Sequence, residues 1–140
     1  MNVVIPNKEE LQPKPVSEGV YKAQVKMELK TSSTNKPMIQ YTFTITSQGP
    51  NPMEKTIGRK VFDNPVIQDD TLWRHDIYLK AATGLQIPDI VEPGTSVTEE
   101  EFYMILKNHV EGKEVAVVVG TEVYEGVARN RVKEVKSLSV

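Results

Sequence analysis

Cysteine is absent from the 140 residues. A disulfide framework and a thiolate zinc site are therefore both excluded. That composition suits a reducing cytoplasm. Histidine is nearly as scarce: His75 and His109 stand alone, with no HxxxH spacing to make a metal pair. No GxSxG, P-loop or GxGxxG run occurs, and Gly112-Lys113 lacks the upstream glycine of a phosphate cradle. No stretch nears the ~18 apolar residues of a membrane span. After Met1, the run Asn2-Val3-Val4-Ile5-Pro6 has no basic flank and is too short for a signal peptide. The expectation is a cytoplasmic chain with no catalytic residues, no metal, no cofactor and no membrane partner. Excess charge of one sign is missing too. The net charge is −2 and the pI about 5.7, so bulk composition does not announce a nucleic-acid binder.

What is present is patterning. From Gly19, Tyr21, Ala23, Val25, Met27 and Leu29 alternate with Lys22, Gln24, Lys26, Glu28 and Lys30. That period of two marks a strand with one buried and one wet face. Ile39, Tyr41, Phe43 and Ile45 alternate in the same way with Gln40, Thr42, Thr44 and Thr46. The polar run Thr31 to Asn35 between them reads as a hairpin tip. Upstream, Pro6, Pro13 and Pro15 predict an extended arm over 1–18, with a short edge strand at Asn2 to Ile5. The domain proper is expected over 19–140, long enough to bury about two thirds of its unfolded surface.

A third strand is predicted over Thr56 to Ile67, with Gly58 and Pro65 marking a bend or an end. The pattern then changes period. LWRHDIYLKAATG, with Asp or Thr as N-cap and Gly84 as C′, predicts a helix. Trp73 and Ile77, at i and i+4, are expected on its core side. Thr98 to Glu101 is a capping box, and Phe102, Ile105, Leu106 and Val110 form the stripe of a further helix. The acidic pairs at Asp69-Asp70 and Glu99 to Glu101 sit where helix starts favour negative charge. His75 and His109 are expected as surface or helix-face polar residues. Val115, Val117 and Val119 then alternate with Ala116 and Val118, apolar on both faces, as in a central strand. Tyr124 to Gly126 reads as a turn and Val127 to Val135 as the last strand. Order and composition together predict a mainly β fold. It is a five-stranded, OB-like antiparallel barrel with a helical segment between strands 3 and 4.

The stretches GVYKAQVKMELKTSSTNKPMIQYTFTI, AATGL and GKEVAVVVGTEVYEGVARNRVKEV carry a resemblance. Over roughly Gly19 to Val135 the layout resembles phage-encoded single-stranded DNA-binding proteins of the OB type and their uncharacterised phage relatives. The resemblance implies a protein that coats single-stranded DNA during phage replication and recombination in the host cytoplasm. It leaves room for a homo-oligomer and for replication or recombination proteins of phage or host as partners. Many such proteins end in an acidic, partner-recruiting tail. Lys136 to Val140 does not match it, so recruitment of that kind is not expected.

Binding of this sort needs cations to track phosphates and flat rings to stack on bases. The basic candidates are Lys22, Lys26, Lys30, Lys36, Arg59, Lys60, Arg129, Arg131 and Lys133. Each can equally be part of a solvated strand face or a guard against edge aggregation. Clustering across strands favours a binding stripe. Phe62, on the parity of Lys60, and Tyr124, beside a turn glycine, are the stacking candidates, whereas Tyr21 and Tyr41 fall on the apolar parity. The rival reading is a phage structural, assembly or host-interaction module on the same barrel, without nucleic-acid binding.

Overall fold

The computed structural model describes residues 2–5 and 14–138. Half of the expected arm, positions 1 and 6–13 with Pro6 and Pro13, lies outside the described residues, as do positions 139 and 140.

Alternation in the first two strands is realised without a break. β1 (Gly19–Thr31) and β2 (Pro37–Ile45) pair antiparallel, from Ala23 opposite Ile45 to Thr31 opposite Pro37. Tyr21, Ala23, Val25, Met27, Ile39, Tyr41, Phe43 and Ile45 are all buried. β3 (Lys60–Asp63) pairs with β2, β4 (Glu114–Tyr124) with β1, and β5 (Val127–Lys136) with β4. The sheet is five-stranded and antiparallel, in the order β3-β2-β1-β4-β5, with β1 at its centre. β4 is interior, as its two apolar faces predict.

Between β3 and β4 come α1 (Leu72–Thr83), the single turn α2 (Ile87–Ile90) and α3 (Glu99–Val110). Gly84 ends α1 at φ 80°, its N–H donating to the Lys80 carbonyl. A left-handed residue of this kind favours glycine. Thr71 is the N-cap of α1, but its hydroxyl donates back to the Val66 and Gln68 carbonyls rather than capping the helix. The capping box of α3 forms as expected between Thr98 and Glu101. α1 packs on α3, β4 and β5, and α3 on β1. Leu79, Phe102, Leu106 and Val110 thereby close the inner face of the sheet.

Five expectations need correction. The sheet is not a closed barrel. It curls until β3 and β5, its two edges, come into contact, but no strand pairing joins them. The third strand is four residues long rather than spanning Thr56 to Ile67. Thr56 to Arg59 form a turn, with Gly58 at φ 91°, and past Pro65, which has no N–H to donate, only the bridge Met38–Val66 remains. Residues 2–5 form no strand and are exposed.

The other two corrections concern the core. Residues 14–17 are not merely an arm: Val16 is buried, its N–H and C=O held by the Asn130 side chain. Tyr21 Oη adds a bond to the Ser17 carbonyl, and Glu54 accepts from Ser17. The fifth correction is the facing of α1. Trp73 is 61% exposed and Ile77 42%, while His75 is fully buried along with Tyr78 and Leu79. His109, by contrast, is a half-buried helix-face residue bonded to the Ile105 carbonyl, as expected.

His75 is buried because both ring nitrogens find partners. The Val66 carbonyl, at 2.9 Å from Nε2, can only accept, so Nε2 carries the proton. Nδ1 then accepts from the Tyr41 hydroxyl at 2.8 Å. Burial holds the His75 pKa below its ordinary value, against the pull of the Val66 bond, so the ring is neutral at pH 7.

Candidate nucleic-acid interface

The curl of the sheet leaves an open cleft of about 640 Å³ between its two edges. Arg59, Lys60, Val61, Phe62 and Asp63 line it from β3 and the turn before it. Ala128, Arg129, Asn130, Arg131 and Val132 line it from β5, Arg74 from α1, and Glu122 from β4. Alternation in β3 explains the wall. Val61 turns inward and is buried, so Lys60 and Phe62 turn out, and Phe62 is 47% exposed.

Five cationic side chains thus face two acids, and the acids are already engaged. Arg74 Nη2 donates to both carboxylate oxygens of Asp63 at 2.6 Å each, and the Tyr78 hydroxyl donates to the same carboxylate. Burial, the largest single influence, would lower the Arg74 pKa, but the charge and hydrogen bonds of Asp63, with those of Tyr78, together outweigh it and the net shift is upward. Burial, then the Asp63 charge, pushes the Tyr78 phenol well up. Arg129 pairs with Glu122 at 2.9 Å and lies over the Tyr124 ring, 4.3 Å from its centroid. Among the described residues Lys60, Arg131 and Arg59 have no carboxylate partner, and the Arg59 guanidinium donates to the Lys14 carbonyl. Cations without carboxylates, around an exposed ring, can take anionic groups and a flat ring together.

The strand register extends this surface across the outer face of the sheet. Phe62 lies opposite Thr42, and Thr42 opposite Lys26. Lys60, Thr44 and Gln24 form the next rank. Lys22 stands across Ala116 from Lys136. Lys22 and Lys26 are exposed and form no ion pair among the described residues, whereas Lys30 is loosely paired with Glu28 at 3.8 Å. Lys36, at the β1–β2 tip, bonds Gln68 at 3.3 Å.

Of the residues expected to act together, Arg59, Lys60, Phe62, Arg129 and Arg131 converge on the cleft. Lys22, Lys26 and Lys30 lie on the adjoining face, and Tyr124 near the β4–β5 turn. Lys133 stays beside Arg131, and the two line a shallow depression with Glu18, Gly120 and Thr121. A bulge falls between Val118 and Val119, so Lys133 is the unpaired residue of β5, and its stem lies over Gly120. Arg74, Asp63 and Glu122 were not among the expected residues. Their part in the cleft follows from the curl of the sheet, for which no local motif exists.

Among the described residues no group of three or more His, Asp or Glu is placed to hold a metal, and no helix is long and apolar enough to cross a membrane. The sequence matches no family model and no curated protein.

Proposed function

We propose that the chain binds single-stranded DNA with little sequence preference, as a binding protein rather than an enzyme. The supporting observation is the cleft between β3 and β5. There Lys60, Arg59 and Arg131 lack carboxylate partners among the described residues, and the exposed Phe62 stands beside Lys60. A strand laid along it places phosphates on the cations and a base on the ring. Lys26 and Lys22 continue the basic track over the outer face. The resemblance of the sequence to phage proteins adds the setting, DNA replication or recombination in a host cytoplasm.

The test is fluorescence anisotropy of a labelled single strand of about 30 nucleotides, with its duplex as control, over a range of salt. Binding is expected to favour the single strand and to weaken with salt. Each phosphate contact contributes about 0.7 to the slope of log affinity on log salt. Lys60→Ala with Arg131→Ala should flatten that slope by about 1.4 and weaken all sequences alike. Phe62→Ala should cost about 1–3 kcal/mol with the slope unchanged. No salt-dependent binding to single strands at about 50 mM salt overturns the proposal and leaves the interaction-module reading.

A further inference from the structure

We infer that Trp73 is a second stacking platform for the same strand, which leaves the cleft past Arg74 and continues onto α1. The inference rests on the single-stranded DNA reading and extends its site to a helix that the outer face of the sheet does not include. Trp73 is the only tryptophan, and an exposed one needs a reason. Trp73 and Ile77, one turn apart, open with Arg74 onto a depression of about 160 Å³, whose far wall is Val132 to Val135 of β5. Arg74 and Val132 line both this depression and the large cleft, so the two adjoin.

The charges around it suit an anion. Lys133, pushed out of the strand register by the bulge, is exposed and forms no ion pair among the described residues. Glu134, the one acid lining the depression among the described residues, is turned toward Lys136 at 3.7 Å. Arg74 is held in place by Asp63, between the Phe62 side of the cleft and the indole. The order Phe62, Arg74, Trp73, with Lys133 alongside, repeats the pairing of ring and cation that single-strand binding uses. A protein partner is the weaker fit. Trp73 and Ile77 present far less apolar area than the roughly 800 Å² that a stable partner covers on each side.

The experiment titrates the intact protein with oligothymidylate of about 30 nucleotides, following tryptophan emission and, separately, anisotropy of a labelled copy. The two signals should saturate together, with the emission quenched. Trp73→Ala should keep the unfolding midpoint, since the side chain is exposed, and weaken binding between about 5-fold and about 150-fold. Its salt slope should match that of the wild type, and Trp73→Phe should recover part of the affinity. Lys133→Ala should instead reduce the slope by about 0.7. Absence of anisotropy change in the wild type overturns the DNA reading itself. Full affinity in Trp73→Ala, with wild-type emission unmoved at saturation, overturns only the role of Trp73 and leaves the cleft standing.

Discussion

The bond between Tyr41 and His75 can be tested by removing one atom. Tyr41→Phe deletes the hydroxyl that donates to His75 Nδ1 at 2.8 Å. The ring stays, so its edge-on contact with Tyr78, at 4.5 Å between centroids, and its stacking on Phe43 are kept. Little cavity forms, because only an oxygen leaves. What changes is His75, whose Nε2 is committed to the Val66 carbonyl and whose Nδ1 then sits fully buried with no donor. An unsatisfied buried acceptor costs about 1–3 kcal/mol. For a domain of this size 1 kcal/mol moves the midpoint by about 4 °C, so Tyr41→Phe should melt about 4–12 °C below the wild type. Thermal unfolding at neutral pH, followed by circular dichroism, reads it. A double-mutant cycle with His75→Leu isolates the pair, because in that background the hydroxyl has already lost its acceptor. If Tyr41→Phe melts with the wild type, or the two substitutions add without coupling, the hydroxyl is not bonded to His75.

Other outcomes follow from the same coordinates. His75 titrates below its ordinary value in the folded state, chiefly through burial, so the unfolded chain binds the extra proton. Its contribution is therefore present above about pH 6.5 and is lost as pH falls through the folded-state value. Urea midpoints measured from pH 7.5 downward should drop over that window, and His75→Gln should lose that part of the drop. Gly49→Ala should destabilise by about 1–3 kcal/mol through overpacking. A Cβ there would lie 2.6 Å from Tyr21 Cε1, on a buried ring whose hydroxyl is tied to Ser17. An unchanged urea midpoint in Gly49→Ala would show that the ring has room to move.

Where local pattern dictates structure, the sequence was legible. β1 and β2 alternate for a full hairpin, one residue in and one out, because a one-residue slip would expose Tyr21, Tyr41 and Phe43 together. The capping box at Thr98 and the glycine at 84 mark helix ends by their own side-chain and backbone needs. The extent of the third strand was less legible. Ile57, Val66 and Ile67 look like strand residues, but the Asn64-Pro65 interruption confines regular pairing to Lys60–Asp63. The cleft was legible only as a list of cations. Arg59 and Arg131 are distant in sequence, and their meeting depends on how far the sheet curls, which no spacing encodes.

The facing of α1 is the instructive failure. Two apolar patterns compete in LWRHDIYLKAAT. One joins Trp73 to Ile77; the other joins Leu72, His75, Tyr78, Leu79 and Ala82, and it reads as apolar only if histidine counts as a core residue. A lone histidine is ordinarily polar, and the largest aromatic is ordinarily buried, so hydropathy favours the first pattern. The second prevails because two partners outside the helix, Tyr41 from β2 and the Val66 carbonyl, meet both imidazole nitrogens and remove the cost of burying them. Fixing His75 inward fixes the rotation of the whole helix. Neighbouring positions on a helix lie about 100° apart, so Trp73 is then turned away from the core. The same rotation brings Arg74 over Asp63 and sets the indole against β5, beside Lys133. One buried hydrogen-bonded ring therefore governs both the stability of this corner and the placement of the residues proposed to carry the strand beyond the cleft.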